Sequence, residues 1–267
     1  MVPVGDDERT LAYRARTRLH VADSLVADGS IVLGREAAHY LRDVLRLKPG
    51  AELAVFNQHD GEWTATLSRF ARNEATITLR ARLREPTLEP DLWLLFALLK
   101  RTRTDLVVEK ATELGVSRIM PVVTARTQAA RVNTERLDLI AREAAEQCER
   151  LTIPAVDEPQ TLTDVLASWP SSRRLIVADE AGGGKPIADA LRDVSSFPLV
   201  TWALLIGPEG GFDGAELDRL RKLPFVTPVA LGPRILRAET AAIAALACIQ
   251  ALVGDWKIGV RREPATS

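Results

Sequence analysis

The stretch that most limits how this chain can fold lies near its end, from Trp202 to Gln250. Two apolar runs, Trp202–Ile206 and Val226–Leu231, each break into a Gly-Pro dipeptide. The first opens the loop Gly207-Pro208-Glu209-Gly210-Gly211. The second opens Gly232-Pro233-Arg234-Ile235-Leu236-Arg237. A helical pattern follows each loop. Strand, glycine loop, helix, repeated, is the arrangement with which α/β proteins build a ligand crevice at the carboxyl ends of parallel strands. The chemistry is expected there.

Upstream, the texture divides in two. Residues 9–18 carry Arg9, Arg14, Arg16 and Arg18 with no acid among them, which suits either a solvated arm or phosphate contacts to nucleic acid. From Leu19 to Leu83 the chain reads as short strands: Ser30–Leu33, Glu52–Phe56, Trp63–Phe70 and Ala75–Leu83. One helix, Arg35–Leu45, is expected among them, since Ala38, Leu41, Val44 and Leu45 share a face. This is the pattern of a small β-barrel module. The segment Glu-Pro-Thr-Leu-Glu-Pro at 85–90 reads as a linker. Beyond it strands and helices alternate. Leu92–Leu99, Ile119–Val123 and Arg174–Ala178 read as strands, and Thr104–Leu114, Asn133–Arg150 and Leu162–Ser168 as helices. Repeated β-α units argue for a parallel sheet covered by helices. The last helix, Ala238–Val253, is apolar nearly all round and rich in alanine, so it belongs in the core or at a subunit interface.

Composition removes several classes of function. Net charge is −1, so an RNA surface must be a local patch. Cys148 and Cys248 stand alone, without metal-ligand spacing, and no metal is expected; the three histidines, His20, His39 and His59, are scattered in the barrel region. The acidic N-terminus lacks the apolar core of a secretory signal, and no apolar run in the first hundred residues is long enough to span a bilayer. A cytoplasmic protein is expected. Ala181-Gly182-Gly183-Gly184-Lys185 fails the phosphate-loop spacing, with Pro186 where Ser or Thr belongs, and reads as a flexible loop. Gly207–Gly211 is not G-x-G-x-x-G either. Its glycines suit a flat ligand lying close to the backbone, and Asp213 with Glu216 forms a capping-box pattern for the next helix. Arg234 and Arg237 on the second loop suit an anion or a polarised carbonyl.

LLIGPEGGF (204–212) and LGPRILRAETA (231–241) resemble the two hallmark motifs of the RsmE family, SPOUT-class methyltransferases that act on N3 of a uridine in small-subunit 16S ribosomal RNA. EKATELGVSRIMP (109–121), EAAEQCERLTIP (143–154) and HYLRDVLRLKPG (39–50) agree, so the likeness spans nearly the whole chain. Ala238 departs from the pattern, where Thr is expected. The resemblance implies an α/β protein with a PUA-like RNA-binding β-barrel (1–86, of which 1–17 is an arm) and a SPOUT methyltransferase domain (87–267). It also implies a trefoil knot and a homodimer whose active sites draw on both subunits. The residues alone give an unknotted doubly wound sheet.

The same resemblance places S-adenosylmethionine against three loops: Ala178-Asp179-Glu180; Ile206, Gly207, Pro208, Glu209, Gly210 and Gly211; and Leu231, Gly232, Pro233, Ile235 and Leu236, with Thr240 and Ala241 behind. No histidine lies in these loops. The proton on uridine N3 therefore goes to Glu209 or Glu239, or Arg237 and Arg234 stabilise the uridine anion while water takes it. The arginine account is favoured, with Glu239 capping or orienting the loop. RNA contacts are expected from Arg14, Arg16, Arg18, Arg42, Arg46, Lys48, Lys100, Arg101 and Arg103, with Arg126, Gln147 and Arg150 completing the site. Two other readings stay open: a non-catalytic RNA-binding assembly protein, and an ordinary nucleotide-binding enzyme.

Overall fold

The computed structural model describes residues 17–87, 89–128, 132–194 and 201–257; the expected contacts Arg14 and Arg16 fall outside them. The described chain forms two compact units. One holds 17–87 together with Glu149–Leu151, and the other holds Glu89–Cys148 and 152–257.

The first unit is a half-barrel. Its strands are β1 (Arg18–His20), β2 (Ser30–Leu33), β3 (Glu52–Asn57), β4 (Gly61–Phe70) and β5 (Ala75–Arg84), in the order β1-β3-β4-β5-β2. Only β1 and β3 run parallel. Alternation in β4 and β5 sends Ala65, Leu67, Ala75, Ile77 and Leu79 inward, where Leu19, Ile31, Leu53 and Val55 meet them. The expected helix over 35–45 is not a regular α-helix. A single α-turn, α1 (Arg35–His39), passes into a π-helical turn over Tyr40–Val44. Inserting that wider turn rotates the face: Ala38 and Leu41 remain buried, whereas Val44 is 58% exposed.

The second unit carries an all-parallel sheet. Its strands are β6 (Leu92–Ala97), β7 (Arg118–Val123), β8 (Ala155–Val156), β9 (Gln160–Thr161), β10 (Arg173–Ala178), β11 (Lys185–Pro186), β12 (Thr201–Ile206) and β13 (Val226–Ala230). The order is β11-β13-β10-β12-β6-β7-β8, with β9 also on β7. β12 lies between β10 and β6, with Leu204 level with Ile176 on one side and Leu94 on the other. A strand covered on both faces must be apolar throughout, which explains its unbroken run.

Helices cover both faces. On one, α2 (Arg101–Glu113), α3 (Thr134–Gln147), α5 (Ile187–Val194) and α7 (Ala238–Leu252) pack on Leu94, Phe96, Ile176, Leu204 and Ile206. On the other, Leu162 and Val165 of α4 (Leu162–Ala167) and Leu217 and Leu220 of α6 (Gly214–Arg221) meet Leu95, Val122, Leu175, Val177, Ala203 and Leu205. Asn133 caps α3, its side chain accepting from the Arg136 N–H. Two helix starts differ from expectation. α2 begins at Arg101 rather than Thr104, so Lys100 is its N-cap and the basic tract is its first turn. The capping box of α6 is only half made. Asp213 accepts from the Ala215 N–H, but Glu216 reaches instead to the Ala125 N–H at 3.3 Å.

Candidate active site

Register fixes the site. β10 pairs with both β12 and β13, Val177 standing level with Leu205 and with Pro228, so the loops leaving the three strands meet at one end of the sheet. They enclose a crevice of about 350 Å³, within the roughly 300–1,000 Å³ typical of small-molecule sites. Of the residues expected at the cofactor, Ala178, Asp179, Glu180, Ile206, Gly207, Pro208, Glu209, Gly211, Leu231, Gly232, Pro233, Ile235, Leu236 and Ala241 line it. Gly210 and Thr240 do not. Gly182, Val229, Ala230 and Ala238 join unforeseen; strand-end and loop residues of this kind carry no local signal.

Two acids placed at the cofactor turn out to hold the walls. The Asp179 side chain is fully buried, with Oδ2 accepting from Arg221 Nε (2.9 Å) and from its terminal nitrogen (2.7 Å), and Oδ1 from the Ala181 N–H (3.0 Å). A buried carboxylate needs such a partner, and Arg221, on α6, looked in sequence like an ordinary helix-terminal cation. Glu180 Oε1 accepts from the Phe212 N–H at 2.9 Å and so ties the first loop to the second. Gly211, at φ +68°, leaves room for it: a Cβ there would lie 2.2 Å from that oxygen. Gly183 and Gly184, in the tract read as flexible, are instead closely packed. A Cβ on Gly183 would strike the Arg221 guanidinium, and one on Gly184 the Val229 backbone at 2.4 Å. The glycines admit a strand and an arginine at contact distance.

The charged groups separate into two sets. Arg103, expected on an RNA surface, lines the crevice and bridges two glutamates, 3.4 Å from Glu209 on its wall and 3.6 Å from Glu239 behind it. Glu239 does not cap through its side chain; its Oε2 is buried without a hydrogen-bond partner among the described residues. Arg234 and Arg237 line the crevice and are exposed, with no acidic partner among the described residues. Ile235 between them is 91% exposed, an apolar side chain at the lip. Arg126 donates to the Gly210 carbonyl at 3.1 Å and pairs with Asp213, clamping the outside of the Gly207 loop.

The remaining basic residues are unequal. Lys100 and Arg101 are exposed at the start of α2, Gln147 at the end of α3, and Arg46 and Lys48 beyond the π-turn. Arg150 is buried and the Arg18 side chain is only 9% exposed, which takes both off an RNA surface. Arg18 pairs with buried Glu62, lies 4.2 Å from the Phe56 ring centre, and donates to the Arg150 carbonyl. Arg42 is tied down as well, donating to the carbonyls of Ala71 and Arg72 and stacking over Phe70. Among the described residues no cluster of His, Cys, Asp and Glu could hold a metal, and no helix is long and apolar enough to cross a membrane.

A glycine-looped crevice at the carboxyl ends of a parallel sheet, with free arginines at its mouth, is a small-molecule site able to present a bound group to an anionic partner. Residues 87–250 match the family model of an RNA methyltransferase domain, and residues 33–80 that of an RNA methyltransferase PUA domain. Similar full-length relatives include ribosomal RNA small subunit methyltransferase E of Rickettsia conorii, 35% identical over 88% of this chain and 95% of the relative. Its counterpart from Synechocystis is 33% identical over 88% of this chain and 78% of that protein. Among solved structures, the Neisseria gonorrhoeae ribosomal RNA small subunit methyltransferase E bound to S-adenosylmethionine superposes with a TM-score of 0.78 at 26% identity, covering 90% of this chain and 99% of the other. A Legionella pneumophila methyltransferase in complex with S-adenosylmethionine gives 0.78 at 31% identity, covering 88% and 97%. The chain belongs to the ribosomal RNA small subunit methyltransferase E family of RNA methyltransferases.

Proposed function

We propose that this enzyme methylates N3 of a uridine in small-subunit 16S ribosomal RNA, with S-adenosylmethionine as methyl donor. The observation that carries the reading is the convergence of the three loops on one crevice with Arg234 and Arg237 at its mouth. The crevice fits the donor. Ile206, Val229, Leu231, Leu236 and Ala241 offer apolar walls for a flat adenine, and the loops offer backbone polar groups. Gly232 leaves a cradle, since a Cβ there would meet nothing of the protein within 4 Å. When bound, S-adenosylmethionine supplies an electrophilic methyl group on a sulfonium.

The chain's own residues do the rest. The three loops orient the reactants, and alignment supplies much of the acceleration in such a displacement. Arg237, assisted by Arg234, stabilises the charge that spreads to the uracil O2 and O4 as N3 loses its proton. Exposed Arg46, Lys48, Lys100, Arg101 and Arg126 contact RNA phosphates.

The homodimer and the trefoil knot belong to the same proposal. α7 supports a subunit contact: its Ile243, Ala244, Ala247 and Cys248 are only half-buried, an apolar stripe of small residues suited to a second helix.

Labelled methyl transfer to small subunits, or to 16S RNA, from a strain lacking the modification tests the reading. N3-methyluridine is the expected product, and a different nucleoside overturns the substrate. RNA affinity without S-adenosylmethionine binding in calorimetry supports a non-catalytic assembly protein instead.

A further inference from the structure

Beside the crevice stands one buried carboxylate oxygen with no partner among the described residues, and the Arg103 guanidinium, which lines the crevice, lies against that carboxylate. Glu239 stands in the first turn of α7, between the lining residues Ala238 and Ala241. Its side chain is 13% exposed; Oε1 lies 3.6 Å from Arg103 Nε, and Oε2 is buried and unpartnered. Leaving such an acceptor unsatisfied costs about 1–3 kcal/mol, so a donor belongs there in the working complex. Glu209, 31% exposed and hydrogen-bonded to Arg103 at 3.4 Å, has no such vacancy. One arginine thus spans two carboxylates, one on the Gly207 loop and one in the first turn of α7. Both contacts are longer than the roughly 2.7–2.9 Å of a tight charge-assisted pair, as is common for catalytic contacts before substrate binds.

Resting on the uridine-N3 reaction, we propose that Arg103 is a positioning residue of the transfer step. It pairs Glu209 with Glu239 and holds in place the Glu239 carboxylate, whose unpartnered Oε2 takes the N3 proton once the bound reactants displace the loop that covers it. The step balances. The N–H bond of N3 breaks and its proton passes to Oε2, giving a neutral carboxyl. The electron pair of N3 forms the new bond to the methyl carbon, and the old C–S pair stays on sulfur. Solvent later takes the proton from Glu239.

Steady-state kinetics on ribosomal RNA, with calorimetry for S-adenosylmethionine and an RNA-binding assay, test the assignment on Arg103→Gln, Arg103→Lys, Glu239→Gln and the Arg103→Gln/Glu239→Gln double variant. Loss of the acceptor in Glu239→Gln lowers kcat by about a hundredfold or more. Arg103→Gln lowers kcat by an order approaching that, because misplacing a reacting group by about 1 Å has such an effect. Arg103→Lys recovers part of the loss. S-adenosylmethionine affinity and the KM for RNA stay within about threefold of wild type, as befits an interaction made in the transition state. The double variant is no slower than Glu239→Gln, because the two residues act as one unit. A raised KM for RNA at unchanged kcat makes Arg103 an RNA contact and overturns the assignment. Losses that multiply in the double variant, or collapse of S-adenosylmethionine binding, overturn it equally. Wild-type protein that forms no N3-methyluridine refutes the reaction itself; wild type that forms it while Arg103→Gln keeps full kcat refutes only the role of Arg103.

Discussion

Arg221→Met separates wall-building from ligand-binding among the acids of the crevice. Arg221 supplies both charged hydrogen bonds to Asp179, whose side chain is fully buried. Removing one partner of a buried pair strands the other charge, at about 3–5 kcal/mol. Arg221 is itself 32% exposed, and the Ala181 N–H still serves Oδ1, so the lower end applies, about 3 kcal/mol. For a domain of 150–250 residues, at about 2–4 °C per kcal/mol, the melting point falls by roughly 6–12 °C. The affected loop, 179–184, also lines the crevice. If re-ordering it on binding takes about 1.4 kcal/mol, S-adenosylmethionine binds about tenfold more weakly. Differential scanning calorimetry and titration calorimetry read the two effects. Adding Asp179→Asn to Arg221→Met removes the stranded charge and restores at least half of the stability. A single-variant loss under about 2 °C, or a double variant no better than the single, refutes the account.

Arg237→Ala is expected to lower turnover by about a hundredfold with S-adenosylmethionine affinity nearly intact, because the role proposed for it falls on developing charge; a large loss of cofactor affinity in calorimetry would place Arg237 on the cofactor instead. Gly211→Ala costs at least roughly 1–2 kcal/mol for the left-handed backbone and displaces Glu180 from the Phe212 N–H, so thermal melting and S-adenosylmethionine affinity fall together; retention of both counts against the tie. In the half-barrel, hydrogen bonds from the Leu25 N–H and then from Asn57 hold the Asp60 carboxyl below its ordinary value. A depressed folded value gives stability that is present above the unfolded value of about 3.9 and lost as pH falls through the folded one. The melting gap between wild type and Asp60→Ala is therefore full at neutral pH and shrinks below about pH 4; a gap constant with pH refutes the linkage.

The sequence by itself determined the elements with a strong local signature. The apolar run that became β12 is read directly, because a strand buried on both faces has no polar position. The two glycine loops are read from turn chemistry, and the burial of α7 from the lack of any polar face. The motifs at 204–212 and 231–241 carried the family. The π-turn after α1 was not legible, since the face shared by Ala38, Leu41 and Val44 fits a regular helix equally well.

Tertiary structure decided what the charged residues do. Nothing local distinguishes Arg103 from Arg101; the pairing of β6 with β12 brings the first turn of α2 beside the Gly207 loop, and Arg103 alone meets Glu209 and Glu239. Asp179 and Arg221 are 42 positions apart, and Arg18 and Glu62 are 44 apart. Each pair is set by strand order rather than by spacing. A charge costs too much to bury alone, so its role is fixed by whichever partner the fold delivers. Periodicity and turn chemistry are properties of neighbours in the chain, and the crevice is a property of neighbours in the sheet.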